Sequence, residues 1–312
     1  MDSSSPICYK FSMKSGAVFK ICWVACLLIL FSGVASASEK RIYNLSPAEL
    51  DRVLSKLKSS GSDKTGRLKI LAHMYKGASP YCADPLTCEK QDWFPYKKTN
   101  CTLLVLYLTA FLNSSSLKEA RQHMRFLHYR DGQVDFKNRY HFTADRITDP
   151  GNPYFSACTA DYVKDRSKLK QVSLVLNRTA DNRPFFKGRL DGWKKALVLD
   201  YLPREGFSPE LLKPLPDAVG VAFIKRSNWD KGIMVGHEGL LIDGDLFHSS
   251  PPEGVQVIKN YLSSAFPISG WEGLAFFHIH EVLPSKEEGK DAGKRGCSMV
   301  SPLKQQTLDI SR

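Results

Sequence analysis

Cys101 ends a polar stretch, Tyr96-Lys97-Lys98-Thr99-Asn100, and opens an apolar, helix-compatible run, Thr102-Leu103-Leu104-Val105-Leu106. A thiol placed there opens a helix, where unpaired N–H groups and the positive end of the dipole favour the thiolate. Far downstream, Gly236-His237-Glu238-Gly239-Leu240-Leu241-Ile242-Asp243-Gly244-Asp245-Leu246-Phe247-His248-Ser249 reads as a hairpin carrying two histidines. Amide hydrolysis by a thiol needs a thiolate, an imidazole to hold and move the proton, and a third group that orients the imidazole. The hairpin can supply the last two. Asp243-Gly244 predicts a two-residue turn. With that turn Ile242 pairs with Asp245, and Gly239 comes opposite His248. His237 lies two residues from Gly239, so the histidines are diagonal neighbours on one face, roughly 7–8 Å apart at the backbone. A three-residue turn would put them on opposite faces. The pairing of His237 with His248 therefore rests on the turn type.

The cysteine count bears on the same thiol. The chain begins with an export signal: Lys14 and Lys20, an apolar run from Ile21 to Phe31, then Ala35-Ser36-Ala37 as an A-x-A site with cleavage expected after Ala37. The run is short for a bilayer span, so no stable membrane span is expected after cleavage. Of eight cysteines, Cys8, Cys22 and Cys26 fall in the signal, and Cys82, Cys88, Cys101, Cys158 and Cys297 remain. In an oxidising compartment structural cysteines pair, and an odd count leaves a free thiol. Cys82 and Cys88 are the easiest pair to bridge. Cys158 and Cys297 can form a second, which would leave Cys101 over. The alternative, a buried apolar Cys101, stays open.

The 312-residue chain carries 44 Lys+Arg against 32 Asp+Glu, a net charge of +12, or +10 without the signal. In an exported protein this favours anionic surfaces such as cell wall or lipid headgroups, or serves solubility alone. The basic residues are scattered and no nucleic-acid motif is present, so nucleic acid is not an expected partner. Oligomeric state is not legible in the sequence.

The elements that must position these groups read as helices first and an antiparallel sheet afterwards, an α+β arrangement. Ser46-Pro47-Ala48-Glu49 is a capping box opening a helix to about Leu57, and a second helix carries Leu68, Leu71 and Met74 and ends near Gly77. The segment 78–100 reads as loop. The helix from Cys101 to about Leu112 is apolar nearly throughout and should be central and buried. Ser116-Leu117-Lys118-Glu119 opens a further helix to about His128. Val219 to Lys225, Gly232 to Ile242, Asp245 to Ser249, Val255 to Ile258 and Leu274 to His280 read as strands; Val172 to Leu176 fits a strand or a helix end. The domain reading is signal peptide 1–37, N-terminal helical region 38–80, catalytic domain 81–283 and a polar, largely disordered tail 284–312. His123, His128, His278 and His280 read as satisfied polar residues. His278-Ile279-His280 has metal-pair spacing but no third ligand, so no metal site is assigned.

Asn-Cys-Thr opening an apolar helix, Gly-His-Glu-Gly-Leu-Leu-Ile, and Leu-Phe-His-Ser-Ser together resemble the NlpC/P60 superfamily of cell-wall cysteine peptidases. More specifically, the chain is similar to the N-acetylmuramoyl-L-alanine amidase-like branch. Gly77-Ala78-Ser79-Pro80-Tyr81, Arg139-Tyr140-His141-Phe142-Thr143-Ala144-Asp145 and Leu202-Pro203-Arg204-Glu205 carry that likeness. The resemblance covers roughly Ser46 to Leu283. It implies a papain-like fold with a central nucleophile-bearing helix packed on an antiparallel sheet, preceded by extra helices. It implies Cys101 as nucleophile, His237 as general base and His248 as the orienting member, with no cofactor. Tyr81, Arg139, His141 and Asp145 become candidates for the substrate cleft, with loop anchoring as their alternative. The implied reaction, in the periplasm or outside the cell, cleaves the amide between N-acetylmuramic acid and L-alanine in peptidoglycan or its fragments. A stem-peptide endopeptidase or acyltransferase with the same triad is the alternative enzyme, and a non-catalytic wall-binding protein the alternative of another class. The chain departs from the pattern at Asn100, where aspartate is common, at Glu238, where an apolar residue is usual, and at Arg146, where the branch tends to have an aromatic residue. Asp217-Ala218-Val219-Gly220 blurs the usual Gly-Asp before the central strand.

Overall fold

The computed structural model describes residues 40–80 and 94–282. The signal, the tail, Tyr81, and the cysteines 82, 88 and 297 lie outside the described residues. Among the described residues, no helix is long and apolar enough to cross a membrane.

Four helices come first. Helix α1 (Pro47–Ser59) starts on the capping box, with the Ser46 side chain accepting from Glu49 N–H and the Glu49 carboxylate accepting from Ser46 N–H. Helix α2 (Lys64–Tyr75) is capped by Asp63. Helix α3 (Cys101–Leu112) has every residue from Leu103 to Leu112 buried, as its unbroken apolar sequence requires. Helix α4 (Leu117–His128) is capped by Ser116, but Glu119 reaches back to Ser115 rather than completing the box. Leu50, Leu54, Leu68 and Leu71 join the residues of α3 in one apolar cluster. Short helices α5 (Thr143–Thr148) and α6 (Thr159–Tyr162) flank strand β1 (Phe155–Ala157), and a last one, α7 (Tyr261–Ser264), precedes the final strand.

The remaining strands are β2 (Lys170–Leu176), β3 (Lys195–Pro203), β4 (Ala218–Ile224), β5 (Val235–Ile242), β6 (Asp245–Ser250), β7 (Gly254–Ile258) and β8 (Gly273–Ile279). They form an antiparallel sheet in the order β2-β3-β8-β4-β5-β6-β7, with β1 paired to β8. The segment 172–176 is a strand, and 195–203 is a strand that the sequence reading leaves unassigned. β3 alternates buried Leu197, Leu199 and Tyr201 with exposed Val198, the pattern of a half-covered strand.

β4 is buried on both faces. Its even-numbered residues Ala222 and Ile224 join the cluster built on α3, with Leu240 and Ile242 of β5 and Phe247 of β6. Val219, Val221 and Phe223 join a second cluster with Leu241, Leu246, Leu274 and Phe276 on the other face. Period-two alternation thus assigns each side chain of the histidine hairpin to a face.

Candidate active site

The start of α3 is held from two sides. Asn100 is the N-cap, its Oδ1 accepting from Leu103 N–H at 2.8 Å. The departure from aspartate keeps the capping bond and leaves out one negative charge beside the thiol. Ser249 of β6, 1 % exposed, donates its hydroxyl to the Thr99 carbonyl at 3.0 Å, anchoring the chain two residues before Cys101.

Cys101 is partly exposed and its thiol is free. Burial and then the Glu238 carboxylate push the thiol above its ordinary range, against the pull of the backbone N–H groups of Glu238 and Thr102. The helix-start thiolate expected from the dipole is outweighed by these two effects, so Cys101 rests as a protonated thiol. Glu238 is the residue after His237, and both line one cavity with Cys101.

The hairpin register is the one the Asp243-Gly244 turn predicts. Ile242 pairs with Asp245 and Gly239 with His248. Asp243 and Gly244 both have positive φ, 51° and 81°, as a two-residue type I′ turn demands. His237 Nε2 and His248 Nδ1 are 3.0 Å apart, with the rings edge-to-face. Trp271 stacks on the His237 ring at 5.9 Å and 12°, and Phe223 lies 5.3 Å away. These aromatic neighbours dry the imidazole: burial, with a smaller contribution from His248, lowers His237 to about 4, and burial lowers His248 as well. Because Nε2 is committed to His248, Nδ1 is the nitrogen left for a thiol proton.

Cys101, Thr102, His141, Phe185, His237 and Glu238 are among the residues lining one cavity of about 150 Å³. Of the four cleft candidates, His141 is in this lining. Its Nε2 donates to the Phe136 carbonyl at 2.6 Å, and burial lowers it to about 4, so it is a neutral ring with a fixed tautomer. Arg139 and Asp145 are not in the lining. Arg139, 4 % exposed, lies over the rings of Tyr129 and Phe136. Asp145 is fully buried between Arg130 and Lys195 Nζ, the latter at 2.8 Å. Both act as anchors of the loops around α5. Cys158 is a free, buried thiol that desolvation raises to about 12. Its expected partner Cys297 lies outside the described residues, so counting leftover cysteines does not by itself single out Cys101. His280 Nε2 meets Ser156 Oγ at 2.8 Å, a satisfied polar contact.

The most heavily engaged side chain of the site is one that the sequence reading treats only as a departure. Glu238 is fully buried and points to the α3 face, away from His237. Its Oε1 accepts from Thr102 Oγ1 at 2.6 Å and Thr143 Oγ1 at 2.9 Å, and its Oε2 accepts from Arg146 Nη2. Arg146 is 1 % exposed and lies over Phe155 at 5.1 Å. The two departures, one acidic and one basic, are partners. Their opposite signs at two sites where apolar residues are usual were the available signal.

Depressed histidines make stability pH-dependent. His237 and His141 stay neutral in the folded chain down to about 4, whereas unfolded histidine takes up a proton near 6.5. Below 6.5 the unfolded chain binds more protons, so stability is full above pH 6.5 and is lost as pH falls toward 4. Each ring accounts for about 3 kcal/mol at the acid end. Urea midpoints measured between pH 7 and 4 should fall steeply over that window; a flat profile would contradict the burial of these rings.

A family model described as AmiA-like, N-acetylmuramoyl-L-alanine amidase-like, matches residues 71–250, a stretch that runs from α2 through Cys101 to the end of β6. No curated protein matches. Among solved structures, the Legionella pneumophila protein LPG0564 is similar with a TM-score of 0.58 and 16% identity, covering 76% of this chain and 95% of that one. Two structures of an N-acetylmuramoyl-L-alanine amidase from Bacteroides uniformis are similar with TM-scores of 0.54 and 0.52 and identities of 19% and 20%, covering 71% and 70% of this chain and 100% of theirs. At such identities the likeness concerns the fold. With more than half of its residues matched by the family model, the chain belongs to the AmiA-like, N-acetylmuramoyl-L-alanine amidase-like family.

Proposed function

We propose that the chain is an exported cysteine amidase of the papain-like NlpC/P60 kind, cleaving the amide between the lactyl group of N-acetylmuramic acid and L-alanine in peptidoglycan or its fragments. The observation that carries this reading is the meeting of three groups. Cys101 opens α3 and lines the same cavity as His237, and the far nitrogen of His237 is held by His248.

In this reading His237 Nδ1 takes the thiol proton as sulfur bonds to the carbonyl carbon. His248 Nδ1 accepts from His237 Nε2–H and steadies the imidazolium. Backbone N–H groups at the α3 start hold the oxyanion. When the intermediate collapses the C–N bond breaks, and the His237 proton passes to the leaving L-alanine amine. A water deprotonated by His237 then splits the thioester, releasing the lactyl carboxylate and restoring the thiol. His141, a neutral ring at the cavity wall, contacts the substrate.

The base works only when neutral, so activity is present above the His237 value of about 4 and is lost as pH falls through it. The alkaline limb lies above the ordinary thiol range, because the reactive pair needs one proton to deliver and Cys101 holds its own tightly. The expected profile is a broad plateau through neutrality. The deciding experiment is mass spectrometry of muropeptides after digestion. Stem peptide beginning with free L-alanine supports the amidase. Fragments cut between amino acids would instead make the chain an endopeptidase, and intact muropeptides would remove the hydrolase.

A further inference from the structure

We propose that Glu238, paired with Arg146, is the positioning residue that fixes the nucleophile against its base. The carboxylate ties the first turn of α3 and the first turn of α5 to β5, one residue from His237. This rests on the amidase reading above and adds to it a part that neither the family likeness nor the triad supplies.

Three observations point the same way. First, the contacts are specific to the nucleophile's own turn. Thr102, which donates to Glu238 at 2.6 Å, is the residue after Cys101, and Glu238 lines the same cavity as Cys101. One residue therefore shares the nucleophile's cavity and holds the nucleophile's neighbour with its side chain. Second, the arrangement is costly for packing alone. A carboxylate and a guanidinium, each 1 % exposed at the side chain, lie where an apolar pair would pack without desolvation. Buried ionic groups of that kind are retained where they specify one geometry among several. Third, strand alternation sends His237 and Glu238 to opposite faces, so the same two residues of β5 hold the base on one side and the α3 start on the other.

The charged and titratable groups around the thiol are Glu238 and His237 on β5, His248 on β6, Arg146 on α5 and His141 just before it. Only Glu238 carries a negative charge. The tether therefore has an electrostatic signature: the carboxylate that aligns the thiol also keeps it protonated until the base acts.

The test uses the full chain and two readouts: kcat and KM on muropeptide, and the pH midpoint of Cys101 alkylation by iodoacetamide, which needs no substrate turnover. The apolar pair Glu238→Val with Arg146→Phe removes both charges and the tethers. It is expected to lower kcat about 10- to 100-fold with KM little changed, in line with a misplacement of about 1 Å, and to move the alkylation midpoint to lower pH. The pair Glu238→Gln with Arg146→Gln keeps hydrogen-bonding capacity without charge. It should recover part of the lost kcat while keeping the lower midpoint. Thr102→Val tests the tether where either pair fails to fold, with an expected fall in kcat of about 10-fold at constant KM. Wild-type kcat in Thr102→Val, or wild-type kcat and midpoint together in the apolar pair, would overturn the proposal. Cys101→Ala separates the two levels. If that variant turns over substrate, the amidase reading fails. If it is dead while Thr102→Val and the apolar pair behave as wild type, the positioning role alone fails.

Discussion

Cys101→Ala is expected to lose amidase turnover by on the order of 10⁴-fold or more while the protein stays folded. The size of the effect follows from the absence of a second free nucleophile among the described residues of the cavity lining: Thr102 and Thr143 both donate their hydroxyl protons to Glu238. Stability should change little, because the thiol is partly exposed and its removal frees one polar atom without opening the core beneath α3. His237→Ala should be equally inactive, because it removes the ring whose Nε2 is held by His248 and whose Nδ1 is left for the thiol proton. His248→Ala should weaken turnover less, because it removes the orienting partner and leaves the base. The measurement is muropeptide release by the three variants at equal folded concentration. Full activity in Cys101→Ala would end the cysteine mechanism. Comparable loss in His248→Ala and His237→Ala would mean that the dyad acts as one unit, which non-additive effects in other catalytic groups make a meaningful comparison.

What could be read ahead of the structure was local. Helix α3 begins at Cys101 because an amide-bearing cap precedes an unbroken apolar run, and both signals are adjacent in sequence. The register of the hairpin follows from two turn residues that accept positive φ, and it alone decides that His237 and His248 meet. What the sequence leaves open concerns partners far apart in the chain. Arg139 and Asp145 are of types that suit a sugar-peptide cleft, but Lys195, 50 residues from Asp145, claims one carboxylate oxygen, and aromatic rings cover the Arg139 guanidinium. Strand β3 went unread because a lysine-flanked stretch with one exposed valine is a weak pattern until β2 and β8 pair with it. The thiol's ionisation was misjudged for the same reason. A helix dipole is a property of the local backbone, whereas burial comes from the packed fold and the opposing carboxylate from β5, 136 residues from Thr102.

That long-range pair also yields the largest expected effect on stability. Arg146→Ala should destabilise the fold by about 3–5 kcal/mol, because it leaves the Glu238 carboxylate buried with two threonine hydroxyls and no counter-charge. Against a typical total of 5–15 kcal/mol, that is enough to leave a substantial unfolded population on mild heating. Glu238→Ala should cost a similar amount for the mirror-image reason: Arg146 is fully buried, its Nε already has no partner among the described residues, and no other carboxylate is paired with it. The apolar double replacement, Arg146→Phe with Glu238→Val, removes both charges at once. Since well-packed apolar groups commonly match or exceed a buried ion pair, it should unfold within about 1–2 kcal/mol of the parent. Urea unfolding of the parent, Arg146→Phe, Glu238→Val and their double variant closes a double-mutant cycle, each single replacement leaving the partner charge buried as the alanine variants do. Additive losses in the double variant would show that the two side chains are held by their separate surroundings. Recovery would show that each is tolerated in the core because of the other. A stable but slow double variant would separate what the pair does for folding, which apolar packing can replace, from what it does for the alignment of Cys101 with His237, which packing alone does not supply.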